Sequence, residues 1–144
     1  MQDYVRIAYK IARNAYKGQK DKAGKDYLRH LEFVSDSVKK EDEKTGAFLH
    51  DVLEDTNVAV DHLRTAKIPE AVIEAVETIT KHQGEEYFAY LLRVKQNFIA
   101  RKVKLADLQH NSDLTRLAYL SNKDRQRLSK YREARDFFKK NLYI

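Results

Sequence analysis

The chain has no cysteine, no tryptophan, one proline and four glycines among its 144 residues. Without cysteine there can be no disulfide, no thiolate zinc site and no cysteine nucleophile, so any bound metal has to be held by His, Asp and Glu. So few helix breakers, together with abundant Ala, Leu, Lys, Glu and Arg, favour an all-α fold. No apolar run approaches the ~20 residues of a membrane-spanning helix. The opening Met1-Gln-Asp-Tyr4 lacks a signal-peptide pattern, which gives the expectation of a soluble cytoplasmic protein with no membrane partner. The length fits one domain, residues 1–144, large enough for a core of its own. The net charge of +6 admits a nucleic acid, an acidic membrane or a small polyphosphate as partner. No helix convincingly interleaves basic residues with exposed aromatics, which argues against a nucleic acid as partner.

Apolar residues recur at helical spacing along the whole chain, and the pattern predicts a bundle of seven to eight helices. The first runs from about Asp3 to Lys17, with Tyr4, Ile7, Ala8, Ile11, Ala12 and Ala15 as its apolar stripe and Gly18 as its stop. A polar, basic loop follows, from Gln19 to Asp26. Tyr27-Leu-Arg-His30 leads into a second helix that turns Leu31, Val34 and Val38 inward, and a third begins near Asp42. Asn57 to Lys67 gives a short helix. Pro69 suits the first position of the next, whose core face is Val72, Ile73, Val76 and Ile79. Glu85 to Gln96 packs Tyr87, Phe88, Leu91 and Leu92. Phe98 to Leu114 and Asn122 to Asn141 complete the set, the last packing Leu128, Tyr131, Ala134 and Phe138.

The third helix carries the chemistry. In Ala47-Phe-Leu-His-Asp-Val-Leu-Glu-Asp-Thr56 an apolar run ends in His50-Asp51, and two more acids follow at Glu54 and Asp55. On one continuous helix Asp51, Glu54 and Asp55 share a face at i, i+3 and i+4. Three crowded carboxylates repel one another unless a cation lies among them, and a divalent metal accepts both imidazole nitrogen and carboxylate oxygen. A second cluster stands in Val103-Lys-Leu-Ala-Asp-Leu-Gln-His-Asn111, where Lys104, Asp107 and Asn111 line one stripe of an otherwise apolar helix. A Lys104–Asp107 ion pair accounts for two of these, since a buried charge is costly without a partner. His30, His50, Asp51 and Asp107 are the candidate metal ligands. Two imidazoles and two carboxylates suit Mn²⁺, Fe²⁺ or Mg²⁺, and water held by such an ion loses its proton far more readily than bulk water.

This order, H…HD…D, resembles the HD-domain superfamily of metal-dependent phosphohydrolases. Ala15-Tyr-Lys-Gly-Gln19, Tyr27-Leu-Arg-His30, the Ala47–Thr56 block and Val103–Asn111 are similar to the hydrolase half of the stringent-response enzymes and to the small stand-alone alarmone hydrolases. The likeness covers roughly Tyr4 to Leu117. It implies an enzyme that removes the 3′-pyrophosphate from guanosine tetra- and pentaphosphate. It further implies Mn²⁺ on His30, His50, Asp51 and Asp107, Glu54 and Asp55 as the acidic pair that orients and deprotonates the attacking water, Lys22 beside nucleobase and phosphates, and Asn111 on the sugar. Lys104 either neutralises phosphate or stabilises Asp107; the second fits its spacing better. A homo-oligomer is compatible with this reading.

The chain also departs from that family. Tyr16 stands where His is common, Asp21 where an Arg meets the guanine, Leu31 where a Pro follows the first ligand, Leu108 where an Arg follows the metal Asp, and Leu114 where a Thr approaches the ribose. Replacing the Arg by an acid removes a cation–π and phosphate partner. The metal set is therefore complete, while the alarmone-recognition set is partial. This keeps two alternatives in play: a nucleotidase acting on another small phosphorylated nucleotide, and a nucleotide-binding regulatory module without turnover.

Overall fold

The computed structural model describes residues 3–21, 23–112 and 121–140. Among these residues the fold is all-α, with no strand and one isolated antiparallel bridge between Lys20 and Asp26. In chain order the helices are α1 (Asp3–Ala15), α2 (Tyr27–Asp36), α3 (Glu41–Leu49), α4 (Val52–Asp55), α5 (Val60–Thr65), α6 (Glu70–Ile79), α7 (Tyr87–Lys95), α8 (Phe98–Asn111) and α9 (Asn122–Lys140). The expected third helix is thus two, broken at His50-Asp51. The imidazole Nδ1 of His50 lies 2.6 Å from the carbonyl of Ala47, and Asp51 takes φ −108° and ψ −1° as the cap of α4. The turn stays close to helical, since the Asp55 amide still donates to the Asp51 carbonyl at 2.9 Å.

α3 is the central helix: Glu43, Thr45, Gly46, Ala47, Phe48 and Leu49 are all buried, and it packs against α1, α2, α6 and α8. A surface helix buries only one apolar stripe, so this burial on most sides marks a helix inside the bundle. Gly46 faces α8, where an added Cβ would lie 3.3 Å from Ile99 Cγ2 and 3.6 Å from Val103 Cγ2. Two apolar clusters flank α3. One joins Val34, Val38 and Ala47 to residues of α6, α7, α8 and α9; the other joins α1, Leu31, Phe48 and Leu49 to Leu63 and Val72.

Most helix faces follow their apolar spacing. Val72, Ile73, Val76 and Ile79 are buried on α6, and Leu128, Ala134 and Phe138 on α9. α7 is rotated from the expected phase. It buries Tyr90, Leu91 and Val94, leaving Phe88 and Leu92 exposed. The reason is polar: Tyr90 reaches across to donate to the Ile79 carbonyl at 2.5 Å, and Arg93 donates to the carbonyls of Thr78 and Thr80 at 2.6 and 3.2 Å. These bonds satisfy carbonyls at the end of α6 that its own helix leaves open. Pro69 precedes α6 as its cap, with ψ 141°, one position earlier than expected.

Phe138 is fully buried, which makes α9 part of the core. Phe138→Ala should cost about 3–5 kcal/mol, read as a lower denaturation midpoint with little change of slope in urea.

Candidate metal centre

α2, α3 and α8 bring four side chains to one point. His30, His50, Asp51 and Asp107 each offer a ligand atom, and these atoms all lie within 4.8 Å of one another. His30 Nε2 is 2.8 Å from Asp107 Oδ1. His50 Nε2 is 3.3 Å from the same oxygen and 3.1 Å from Asp51 Oδ2. Three of the four residues are buried, and Asp51 is half-buried.

The chemistry of this donor set asks for a cation. The Nδ1 of His50 donates to the Ala47 carbonyl, so a neutral His50 turns the lone pair of Nε2 toward two carboxylates. Acceptor then faces acceptor, which only a proton or a metal ion between them relieves. Burial, the largest influence on His50, opposes its charged form, but Asp51 and Asp107 together raise its pKa well above the usual imidazole range. Burial likewise opposes the charge on Asp107, yet Lys104 and the hydrogen bonds from His30 and His50 hold its carboxyl well below the usual range. These four residues therefore fit a hard or borderline divalent ion.

The neighbours hold the four in place. Lys104 Nζ is 3.3 Å from Asp107 Oδ2, and the Asn111 side-chain amide donates to Asp107 Oδ1 at 3.2 Å. Lys104 is half-buried; desolvation alone would lower its pKa, but Asp107 raises it overall. The ion pair expected from the spacing is present. Tyr27 donates to Asp51 Oδ2 at 2.5 Å, and its ring packs 4.7 Å from that of Tyr16. Sequence reasoning missed Tyr27, although its position three residues before His30 puts it on the same face of α2.

Glu54 and Asp55 are exposed beside this cluster. Glu54 Oε1 accepts from the Lys81 amide at 3.3 Å, and Asp55 Oδ2 accepts from the Tyr16 hydroxyl at 3.3 Å. Burial first, then the charges of Asp51 and Glu54, push the Asp55 carboxyl up to about 6. Lys22 lies outside the described residues, as does Leu114. Asp21 is turned into its own loop, accepting from the amides of Ala23 and Lys25 at 2.9 and 3.0 Å. Leu31 and Leu108, two of the departures from the family pattern, are fully buried core residues.

No family model matches the chain. It is 28% identical, over 91% of its length, to a probable guanosine-3′,5′-bis(diphosphate) 3′-pyrophosphohydrolase of Synechocystis sp.. It is 30% identical, over 74% of its length, to the bifunctional (p)ppGpp synthase/hydrolase SpoT of Escherichia coli. The chain spans about a fifth of the length of these relatives, 19% and 17%. In fold it is similar to a metazoan ortholog of SpoT, a protein that hydrolyses ppGpp and plays a role in starvation responses. That match has a TM-score of 0.77 at 20% identity and covers 96% of this chain and 86% of the other. The chain shares the helical fold of that protein, and its His–Asp cluster is a candidate metal site. More narrowly, it is similar in sequence to part of SpoT and in fold to its metazoan ortholog. Among the described residues no helix is long and apolar enough to cross a membrane.

The electrostatics around Asp55 can be checked in the metal-free protein by carbon-13 NMR titration. Glu54→Gln removes a repelling charge and should lower the Asp55 pKa; Tyr16→Phe removes a hydrogen bond to the carboxylate and should raise it. Shifts of the same sign in both variants would contradict the assignment of causes.

Proposed function

We propose that this chain is a divalent-metal-dependent phosphohydrolase that removes the 3′-pyrophosphate from guanosine tetra- and pentaphosphate in the cytoplasm. The observation that carries the reading is the convergence of His30, His50, Asp51 and Asp107 within 4.8 Å, beside a pair of exposed carboxylates. The activities for which the relatives are named point the same way. In this reading the four residues hold Mn²⁺, or Fe²⁺ or Mg²⁺ in its place. A bound ion of this kind supplies Lewis-acid polarisation of a phosphoryl oxygen and lowers the pKa of water.

The protein's own groups do the rest. In this reading Asp55, whose carboxyl is pushed up to about 6 in the metal-free protein by burial and the neighbouring acids, takes a proton from the attacking water. Glu54 orients that water from the next position. Tyr16 steadies Asp55, and Tyr27 fixes the direction of Asp51. Lys104 serves Asp107 first, offsetting its charge inside the bundle. Lys22 and Asn111 contact the nucleotide. Water attack at the phosphorus attached to the 3′-oxygen breaks that P–O bond, releases pyrophosphate and leaves the free 3′-hydroxyl of guanosine 5′-diphosphate (from the tetraphosphate) or 5′-triphosphate (from the pentaphosphate).

One observation favours a second substrate reading. Asp21 stands at the position of a guanine-contacting Arg, and its carboxylate is engaged with loop amides. Without that cation the pocket has less to hold a guanine bearing two diphosphates. A nucleotidase acting on a less highly charged nucleotide fits this feature better.

Phosphorus NMR of the Mn²⁺-loaded protein, quenched and freed of the ion before acquisition, separates the two. Pyrophosphate should appear from guanosine tetraphosphate; turnover of deoxynucleoside monophosphates with none of the tetraphosphate would move the assignment to a nucleotidase. An intact nucleotide after hours with the metal-loaded protein would point to a binding module. Glu54→Gln should keep Mn²⁺ affinity within about twofold and lower kcat by roughly 10²–10⁴, whereas His50→Ala should lose both metal and turnover. A fully active Glu54→Gln enzyme would reject the role given to that carboxylate.

A further inference from the structure

His110 is not among the four candidate ligands, yet it touches one of them. Its Nδ1 is 2.7 Å from Nδ1 of His30, while the other ring nitrogen of His30 faces Asp107 Oδ1 at 2.8 Å. Two ring nitrogens at that separation share one proton, so one donates and the other accepts. The two arrangements differ in what they leave to the cluster. With His110 as donor, a neutral His30 carries its proton on Nε2 and gives it to Asp107, and that nitrogen has no lone pair for a cation. With His30 as donor, its proton sits on Nδ1 and Nε2 presents a lone pair to the point where the four side chains meet.

The geometry also shows how the His110 ring is kept in place. Phe33 stacks on it with centroids 3.9 Å apart and planes 18° from parallel. The His30 ring lies 17° from the same plane. His30 and Phe33 are three residues apart on α2, and Asp107 and His110 are three apart on α8, so each pair shares a helix face. The two faces interlock: Asp107 meets His30, and His110 sits between His30 and Phe33. Phe33 is 46% exposed, a costly place for a phenyl ring that its contact with His110 accounts for.

We infer that His110 is a positioning residue for the metal centre: it accepts the Nδ1 proton of His30 and so keeps His30 Nε2 available to a divalent cation, with Phe33 holding the accepting ring in line. The inference rests on the metal-centre reading above and concerns how one of its ligands is prepared.

Two variants separate the roles of the ring. His110→Phe keeps an aromatic ring against Phe33 but removes the acceptor, and His110→Gln restores an acceptor oxygen without the ring. Free Mn²⁺ measured by electron paramagnetic resonance gives the dissociation constant for each, and thermal melts of the metal-free proteins check folding. His110→Phe should bind Mn²⁺ about 10–100-fold more weakly than wild type, and His110→Gln should recover most of that loss. In wild-type protein loaded with diamagnetic Zn²⁺, nitrogen-15 NMR should report a protonated Nδ1 on His30, a readout that does not depend on either variant folding. Unchanged affinity in His110→Phe, no recovery in His110→Gln, or an unprotonated Nδ1 in the loaded wild type would overturn the inference while the metal centre stands. Failure of the wild type to bind Mn²⁺ at all would overturn both.

Discussion

The Asp107 carboxylate is 5% exposed and has four polar partners, His30 on α2, His50 at the end of α3, and Lys104 and Asn111 on its own helix. A charge so deeply placed persists only if its surroundings repay the lost hydration. Lys104 supplies a full positive charge against it. Asp51 adds a second carboxylate close by, and that leaves the cluster one positive charge short when both imidazoles are neutral. The arrangement of α2, α3 and α8 can be understood from this shortfall. It gathers donors that are stable together once a cation sits among them, and it places the gathering where the apolar clusters on either side exclude most of the water.

Much of this was legible in the chain, for identifiable reasons. The helices announce themselves because Pro and Gly are scarce and the apolar spacing is regular, as on α6 and α9. The ligand candidates stand out because His50-Asp51 interrupts an apolar run and Asp107 interrupts another, where an unpaired polar group would be costly. The Lys104–Asp107 pair followed from their spacing on one helix. What spacing could not give was the break between α3 and α4. A side chain causes it by bonding the backbone of its own turn, and no periodicity encodes that. The phase of α7 escaped for a related reason: Tyr90 and Arg93 follow the open carbonyls of α6, and those carbonyls belong to another part of the chain.

The supporting aromatics were hidden by their ordinariness. Tyr16, Tyr27 and Phe33 sit at helical spacing, where such residues usually pack into a core, and Tyr16 and Tyr27 do so. Only the distances reveal that Tyr27 also holds Asp51 and that Phe33 covers His110. The departures from the family pattern divide in the same way. Leu31 and Leu108 are fully buried members of the two apolar clusters. Asp21 is different in kind, because its carboxylate organises the loop that carries it, and the loop gives up a cation to gain a fixed shape.

Gly46 lies one helical turn before His50, and the residues its missing side chain would strike, Ile99 and Val103, lie on the helix that carries Asp107. The spacing between a histidine on one helix and a carboxylate on another is therefore gauged by a hydrogen atom in the wall between them. A methyl group at that point would act as a shim, wedging the two helices apart by tenths of an ångström. Coordination bonds have about that much slack, so the mechanical tolerance of the centre is set at a position that carries no chemistry of its own.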